Sequence, residues 1–287
     1  LIDPARGFYP GSGHLIFVGA YYDYGLWLDR TSASRITISV NTRWTDGLVA
    51  RLAQLEEIPS PHTLDFTFPS RMFRDMTGLS GQIEYPLVDT NRFRPRGLRT
   101  HSGRTLVIGR HSRDDRTKFH PNDPALFRTL SSQGHRLRIK GGTPLSDAMG
   151  RDLDDGRIEL LPESKDDIVE FLEGLDCYLY RTHPNFIETG GTVILEAMSM
   201  GLPVVAFKRR LGVAELIEHG FNGFLVETDE EALHCVRALA DSPSLRRDIG
   251  MAARAMVMET MSSQAKAALS NYLHGVGSEV GPALSAS

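Results

Sequence analysis

The chain reads as an α/β protein with doubly wound, parallel sheets, and three observations carry that reading. Short runs rich in Val, Ile and Leu recur along it, most of them without clean apolar/polar alternation, as in strands buried on both faces. Longer stretches with apolar residues at helical spacing stand between those runs. Finally, 287 residues, 41% of them hydrophobic and 24% charged, suggest two domains and exclude collagen, a coiled coil and wholesale disorder.

Strands are expected over residues 14–20, 35–40, 63–68 and 82–88, then over 105–109, 136–140, 158–161, 177–180, 203–207 and 223–226. Helices fall between them. Residues 46–57 carry Leu48, Leu52 and Leu55 on one stripe, and 125–133 follow the turn-like Pro121-Asn122-Asp123-Pro124. Residues 166–175 put Ile168, Phe171, Leu172 and Leu175 together, and 230–239, 243–260 and 262–273 complete the set. The stretch 91–104 is polar, holds Pro95 and Gly97, and has no periodicity. It divides the chain into one lobe over 1–98 and a second over 99–270, with a small, polar tail over 271–287.

The longest uncharged apolar run, residues 15–22, is far short of the roughly 20 residues that a membrane span needs. No signal peptide is visible. The chain begins with Leu, which fits a piece of a longer protein. A net charge of −4 leaves no general basic footprint for nucleic acid. The cations are 27 Arg against 5 Lys, which fits either a GC-rich coding sequence or recognition of anions by the planar guanidinium fork. Residues 1–99 carry a net +1, which leaves open a peripheral contact with anionic lipid. Cys177 and Cys235 form no C-x-x-C and no metal-ligand spacing. Cys177 opens an apolar run, as a packed small hydrophobe does, and a reducing cytoplasm fits. His101, His111 and His120 likewise form no metal spacing on one element.

The informative segment is 188–201, Glu-Thr-Gly-Gly-Thr-Val-Ile-Leu-Glu-Ala-Met-Ser-Met-Gly. A strand ends at Tyr180, a loop with His183 and Pro184 leads to Glu188, and Gly190-Gly191 opens a helix to about Met200. Glycines there expose backbone N–H groups at a helix N-terminus, a ready-made anion site. Eight residues turn a helix by roughly 800°, so a helix beginning at Glu188 would put Glu188 and Glu196 roughly on one side without letting them meet. Glu188 is either an acid favoured by the helix dipole or a functional group. Glu196 is either a solvated helix residue or, set between Leu195 and Ala197 in an apolar helix, a carboxylate that needs a partner.

Glu188-x7-Glu196 followed by Ala-Met-x-x-Gly-Leu-Pro-Val-Val-Ala resembles the signature of the retaining glycosyltransferases of family 4, which have the GT-B fold. Further pieces agree in order over about residues 65–270. Phe68-Pro69-Ser70 resembles the strand-to-Ser segment that ends the family's N-terminal lobe. Pro86-Leu87-Val88-Asp89-Thr90-Asn91-Arg92-Phe93-Arg94-Pro95 is similar to its interdomain stretch, and Val107-Ile108-Gly109-Arg110 to its first C-lobe strand with the phosphate Arg. Gly212, Glu215, Gly220 and Gly223 match a later run.

The resemblance implies two Rossmann-like lobes with parallel sheets, the N-terminal lobe truncated or reduced, since this chain lacks the family's opening Gly-rich strand-turn. It implies transfer of a sugar from a nucleoside diphosphate sugar, a UDP-sugar first, to a glycan, lipid-linked or other hydroxyl acceptor, in bacterial polysaccharide or glycoconjugate synthesis and with no metal. Glu188 would sit beside the donor sugar and Glu196 would bind the ribose hydroxyls. The backbone around Gly190, Gly191 and Thr192 would hold phosphate and sugar, and Arg110 would grip the diphosphate. The family's Lys normally follows that Arg by five or six positions. Here Lys118 is favoured as the second cation, with Arg116 its rival and Arg113 a third candidate. His183, just before Glu188, either touches the donor sugar or plays a structural part in its loop, and Trp27 and Trp44 are either core or acceptor groove. Two alternatives stand beside this reading: a nucleotide-sugar epimerase of GT-B fold, and a non-catalytic donor-binding module or partner subunit.

Overall fold

The computed structural model describes residues 6–8, 11–21, 30–42, 44–45, 47–57, 63–97, 103–164 and 166–274. Trp27, His101, the 98/99 division and the tail beyond 274 lie outside them. Two parallel sheets form. The first has four strands in the order β1-β2-β3-β4, namely β1 (His14–Val18), β2 (Arg35–Ser39), β3 (Thr63–Phe68) and β4 (Gln82–Ile83). Helices α1 (Leu48–Glu56) and α2 (Arg71–Thr77) belong to this lobe. Leu48, Leu52 and Leu55 of α1 are buried with Ile36, Ile38, Phe66, Phe68 and Phe73, so the expected stripe does face the sheet. Trp44 joins the same core, packed edge-on against Phe73 at 5.9 Å.

The second sheet has six strands, with β5 (Val107–His111), β6 (Arg136–Lys140), β7 (Ile158–Leu161), β8 (Cys177–Tyr180), β9 (Val204–Phe207) and β10 (Phe224–Val226) in the order β10-β9-β8-β5-β6-β7. Helices α3 (Asp123–Ser132), α4 (Ser146–Met149), α5 (Ile168–Glu173), α6 (Thr192–Ser199), α7 (Asp229–Asp241) and α8 (Pro243–His274) flank it. One core, with Ile108, Leu137 and Val236, covers one face, and a second, with Leu172, Ile194 and Val204, covers the other. The strand order reverses between β5 and β8. In open α/β sheets a crevice lies outside the carboxyl ends of the strands at such a switch.

Several boundaries differ from the expectation. The 82–88 run pairs with the sheet only at Gln82–Ile83. Beyond Glu84, whose N–H donates to the Phe68 carbonyl at 2.8 Å, the chain crosses to the second lobe and buries Val88 in its core. Helix α2 was unanticipated. Ser70 nucleates it by accepting the Phe73 N–H at 3.2 Å, and Gly78, at φ 72°, closes it. The two expected C-terminal helices are one, α8, because Ser262 and Ser263 carry neither the missing donor nor the ring clash that breaks a helix. Strand β5 runs two residues further than expected and takes Arg110 and His111 into the sheet. Helix α6 is opened by the glycine pair as expected, at Thr192, and because its N-cap Gly191 adopts the left-handed conformation at φ 69° it does not extend back to Glu188. Both cysteines are buried and free.

Candidate active site

The loops after β5 and β8 leave from the switch point and meet. A short turn, Arg116–Lys118, is capped by Asp115, whose carboxylate accepts the Thr117 N–H at 2.9 Å and hydroxyl at 2.8 Å. That turn points Lys118 inward. Its Nζ donates to Glu188 Oε2 at 2.6 Å and lies 4.1 Å over the Phe186 ring. The Tyr180 hydroxyl donates to the same oxygen at 2.6 Å. Burial lowers the Lys118 pKa, with the Glu188 carboxylate pulling the other way, and burial together with Glu188 holds the Tyr180 phenol well above its usual range. The Lys118 and Glu188 side chains are only 11% and 15% exposed, so this is a largely desolvated ion pair.

The backbone holds Glu188 in place. Its N–H donates to the Arg210 carbonyl at 3.0 Å, and its carbonyl accepts the Gly212 N–H at 2.8 Å. Ser70, from the other lobe, donates its hydroxyl to the Thr189 carbonyl at 2.7 Å. Gly190 is pressed against the interlobe crossing, since a Cβ there would sit 2.5 Å from Pro86 Cγ, and one at Gly191 would sit 2.5 Å from Val213. A few steps away, Glu215 accepts the Arg71 N–H at 3.0 Å and the Tyr85 hydroxyl at 2.7 Å, both from the first lobe and its crossing.

Two cavities flank this assembly. A cleft of about 590 Å³ between the two sheets has Ile16, Val18 and Asn41 on one wall and Arg113, Lys118 and Glu188 on another, and Gly190, Gly191 and Thr192 also line it. A smaller cavity of about 340 Å³ has His111, Lys140, Glu163 and Glu196 on its walls. Arg113, exposed on the β5 loop, lines both. Glu196 Oε2 is 2.7 Å from His111 Nε2, so the two glutamates occupy separate cavities, each with its own cationic or polar partner.

Three expected residues do not reach these cavities. Arg110 is 1% exposed. Its guanidinium is sandwiched 4.6 Å from the Phe119 ring and 4.5 Å from the Tyr180 ring, and it donates to the carbonyls of Lys118, at 2.8 Å, and Arg181. It ties the two loops together from behind and does not face a ligand. Arg116 points outward to Asp147, 3.8 Å away. His183 lines a different cavity of about 950 Å³, beside Arg181 and Asp229. Arg181 is held there by Asp123, at 2.7 Å, and Asp229. The residue pattern missed His111, Tyr180, Ser70 and Glu215 as site builders. The signals present were the position of His111 directly after Arg110, Tyr180 as the last residue of a buried strand, and Ser70 and Glu215 within quoted motifs.

Residues 152–256 match the family described as glycosyl transferases group 1. Over 133 residues the chain is 32% identical to the D-inositol 3-phosphate glycosyltransferase of Pseudarthrobacter chlorophenolicus, covering 45% of this chain and 31% of that one. The chain spans about a third or less of the length of the curated relatives it matches, between 23% and 31%. Among solved structures it superposes on sucrose-phosphate synthase from Thermosynechococcus elongatus with a TM-score of 0.70 at 15% identity, covering 94% of this chain and 74% of that one. It superposes on Anabaena HepE, solved in complex with UDP and glucose, with a TM-score of 0.62 at 18% identity, covering 82% and 72%. At such identities the likeness is one of fold, an α/β fold with two parallel sheets of the GT-B kind. Residues 152–256 thus resemble glycosyl transferases group 1, within a chain of GT-B fold.

Proposed function

We propose that the chain is a retaining glycosyltransferase of family 4 that moves a hexosyl group from a nucleoside diphosphate sugar to a hydroxyl of a glycan or lipid-linked acceptor. Residues 1–98 belong to its acceptor lobe and 99–270 to its donor lobe. The observation that carries this reading is the Lys118–Glu188 pair at the interlobe cleft, joined through Arg113 to the cavity of Glu196. A nucleoside seated beside Glu196 sends its diphosphate past Arg113 toward the α6 N-terminus and its sugar toward Glu188. In the transfer the bond from the anomeric carbon to the phosphate oxygen breaks, and the acceptor oxygen bonds to that carbon on the same face. The acceptor proton passes to the leaving phosphate. Lys118, Arg113 and the α6 N–H groups meet the developing negative charge, a role for preorganised cations and dipoles that needs no metal. UDP is placed first among nucleotides, supported by the UDP bound in HepE. Bacterial polysaccharide or glycoconjugate synthesis in the cytoplasm is the proposed setting, with peripheral contact at anionic lipid.

The test is thermal stability of the full chain against UDP, GDP, ADP, dTDP and CMP, followed by turnover of the matching nucleotide-sugars. A nucleotide at about 100 times its Kd should add roughly 2.7 kcal/mol. Glu196→Ala should lose that shift, and Glu188→Ala should keep it while losing turnover. A chain that no nucleotide stabilises, or whose turnover both variants retain, refutes the assignment. Nucleotide binding without turnover favours a donor-binding module, and interconversion of nucleotide-sugars without acceptor favours an epimerase.

A further inference from the structure

His111 is 6% exposed at the end of β5 and makes two ring contacts that fix it. Nε2 lies 2.7 Å from Glu196 Oε2, and Nδ1 lies 3.1 Å from the hydroxyl of the fully buried Tyr178. That hydroxyl accepts the His111 backbone N–H at 3.3 Å. Its single proton is therefore directed to Nδ1 or to the His111 carbonyl, 3.2 Å away. With Nδ1 accepting from Tyr178, the neutral ring carries its proton on Nε2 and donates it to Glu196. Phe171 and Tyr178 brace the ring edge-on, with centroids 6.4 and 5.6 Å away.

We propose that His111 is a positioning residue that aims the Glu196 carboxylate into the smaller cavity, and that Tyr178 sets the tautomer that lets it do so. The inference rests on the proposed reading in which Glu196 meets the ribose hydroxyls. Among the described residues, His111 is the one side chain bonded to the Glu196 carboxylate. It engages Oε2 and leaves Oε1, with the remaining lone pairs, for a ligand's hydroxyls. A glutamate has three side-chain torsions to freeze, and a partner that freezes them in the unliganded protein removes that cost from binding. The arrangement resembles the outer partners that orient a metal's ligands, with a carboxylate oriented for a diol instead.

The test compares UDP with 2′,3′-dideoxy-UDP by isothermal titration on the full chain and on His111→Leu, His111→Gln and Tyr178→Phe. Hydrogen bonds to a charged acceptor predict that the unaltered chain prefers UDP by about 10- to 100-fold. His111→Leu should cut that preference about tenfold while leaving the affinity for dideoxy-UDP within about twofold. His111→Gln, whose amide nitrogen replaces Nε2, should restore most of it. Tyr178→Phe, which frees the tautomer but keeps the ring, should lower it about threefold. A purely structural role would weaken both nucleotides together and leave the ratio unchanged. An unchanged ratio in a folded His111→Leu overturns the inference, and if that variant does not fold, an unchanged ratio in Tyr178→Phe does so. Failure of UDP to bind the unaltered chain overturns the donor reading itself, and the inference with it.

Discussion

Replacing Lys118 with Met should cost more stability than replacing the whole Lys118–Glu188 pair. In Lys118→Met the Glu188 carboxylate stays 15% exposed in a site that now offers only the Tyr180 hydroxyl among its side-chain partners. Removing one partner of a buried pair costs about 3–5 kcal/mol. The remaining Tyr180 bond and the residual solvent access bring the expectation here to about 2–3 kcal/mol. At about 2–4 °C per kcal/mol for a chain of this size, the melting temperature falls by about 5–10 °C. Glu188→Gln keeps an acceptor for Tyr180 but strips Lys118 of its carboxylate. Burial already lowers the Lys118 pKa, and losing Glu188 lowers it further. The folded state then binds fewer protons than the unfolded one, so the stability of Glu188→Gln rises with pH from neutrality toward the usual lysine range. Lys118→Met with Glu188→Gln has no charge left to strand, and its loss should be smaller than that of Lys118→Met alone. The cycle therefore yields a coupling energy of about 2 kcal/mol. Urea and thermal unfolding of the four proteins at pH 7, and of Glu188→Gln across pH, provide the assay. A Lys118→Met loss below about 0.5 kcal/mol, or strictly additive variants, would show the pair to be solvated and the reasoning wrong.

Gly212→Ala should reduce donor turnover by more than about tenfold, because the new methyl overlaps the Thr189 carbonyl and comes within 2.5 Å of Ser70 Oγ. Turnover near the unaltered value in a folded Gly212→Ala would show that the loop shifts without consequence. Arg113→Ala should raise the donor KM about tenfold while Arg116→Ala leaves it within about twofold, since only Arg113 lines the two cavities. Steady-state kinetics with the donor found above decide this, and equal effects would contradict the assigned diphosphate path.

Local pattern made much of this protein legible. The non-alternating runs at 177–180 and 204–207 are strands buried along their whole length, because both faces of the second sheet are covered there, and burial on both faces is what erases alternation. The glycine pair marked where α6 opens, since the left-handed turn at Gly191 is a demand that local sequence must meet. The run 82–88 misled for the opposite reason. Its apolar residues serve two lobes in turn, and nothing local to it says where the sheet ends.

Partner choice in the candidate site belonged to tertiary structure. Arg110, Arg113, Arg116 and Lys118 are interchangeable on a charge count, yet one is sealed behind the loops, one spans both cavities, one faces solvent and one pairs with Glu188. The cap at Asp115 and the aromatic sandwich around Arg110 made those assignments. His111 and Glu196 lie 85 positions apart and meet only because β5 stands beside β8 at the switch point. Local sequence was enough for most strands and helices and for the glycine-opened start of α6, because backbone conformation is set largely by neighbours a few residues away. Which side chain answers each glutamate was decided by the tertiary structure, because a hydrogen bond tests distance in space and is blind to distance along the chain.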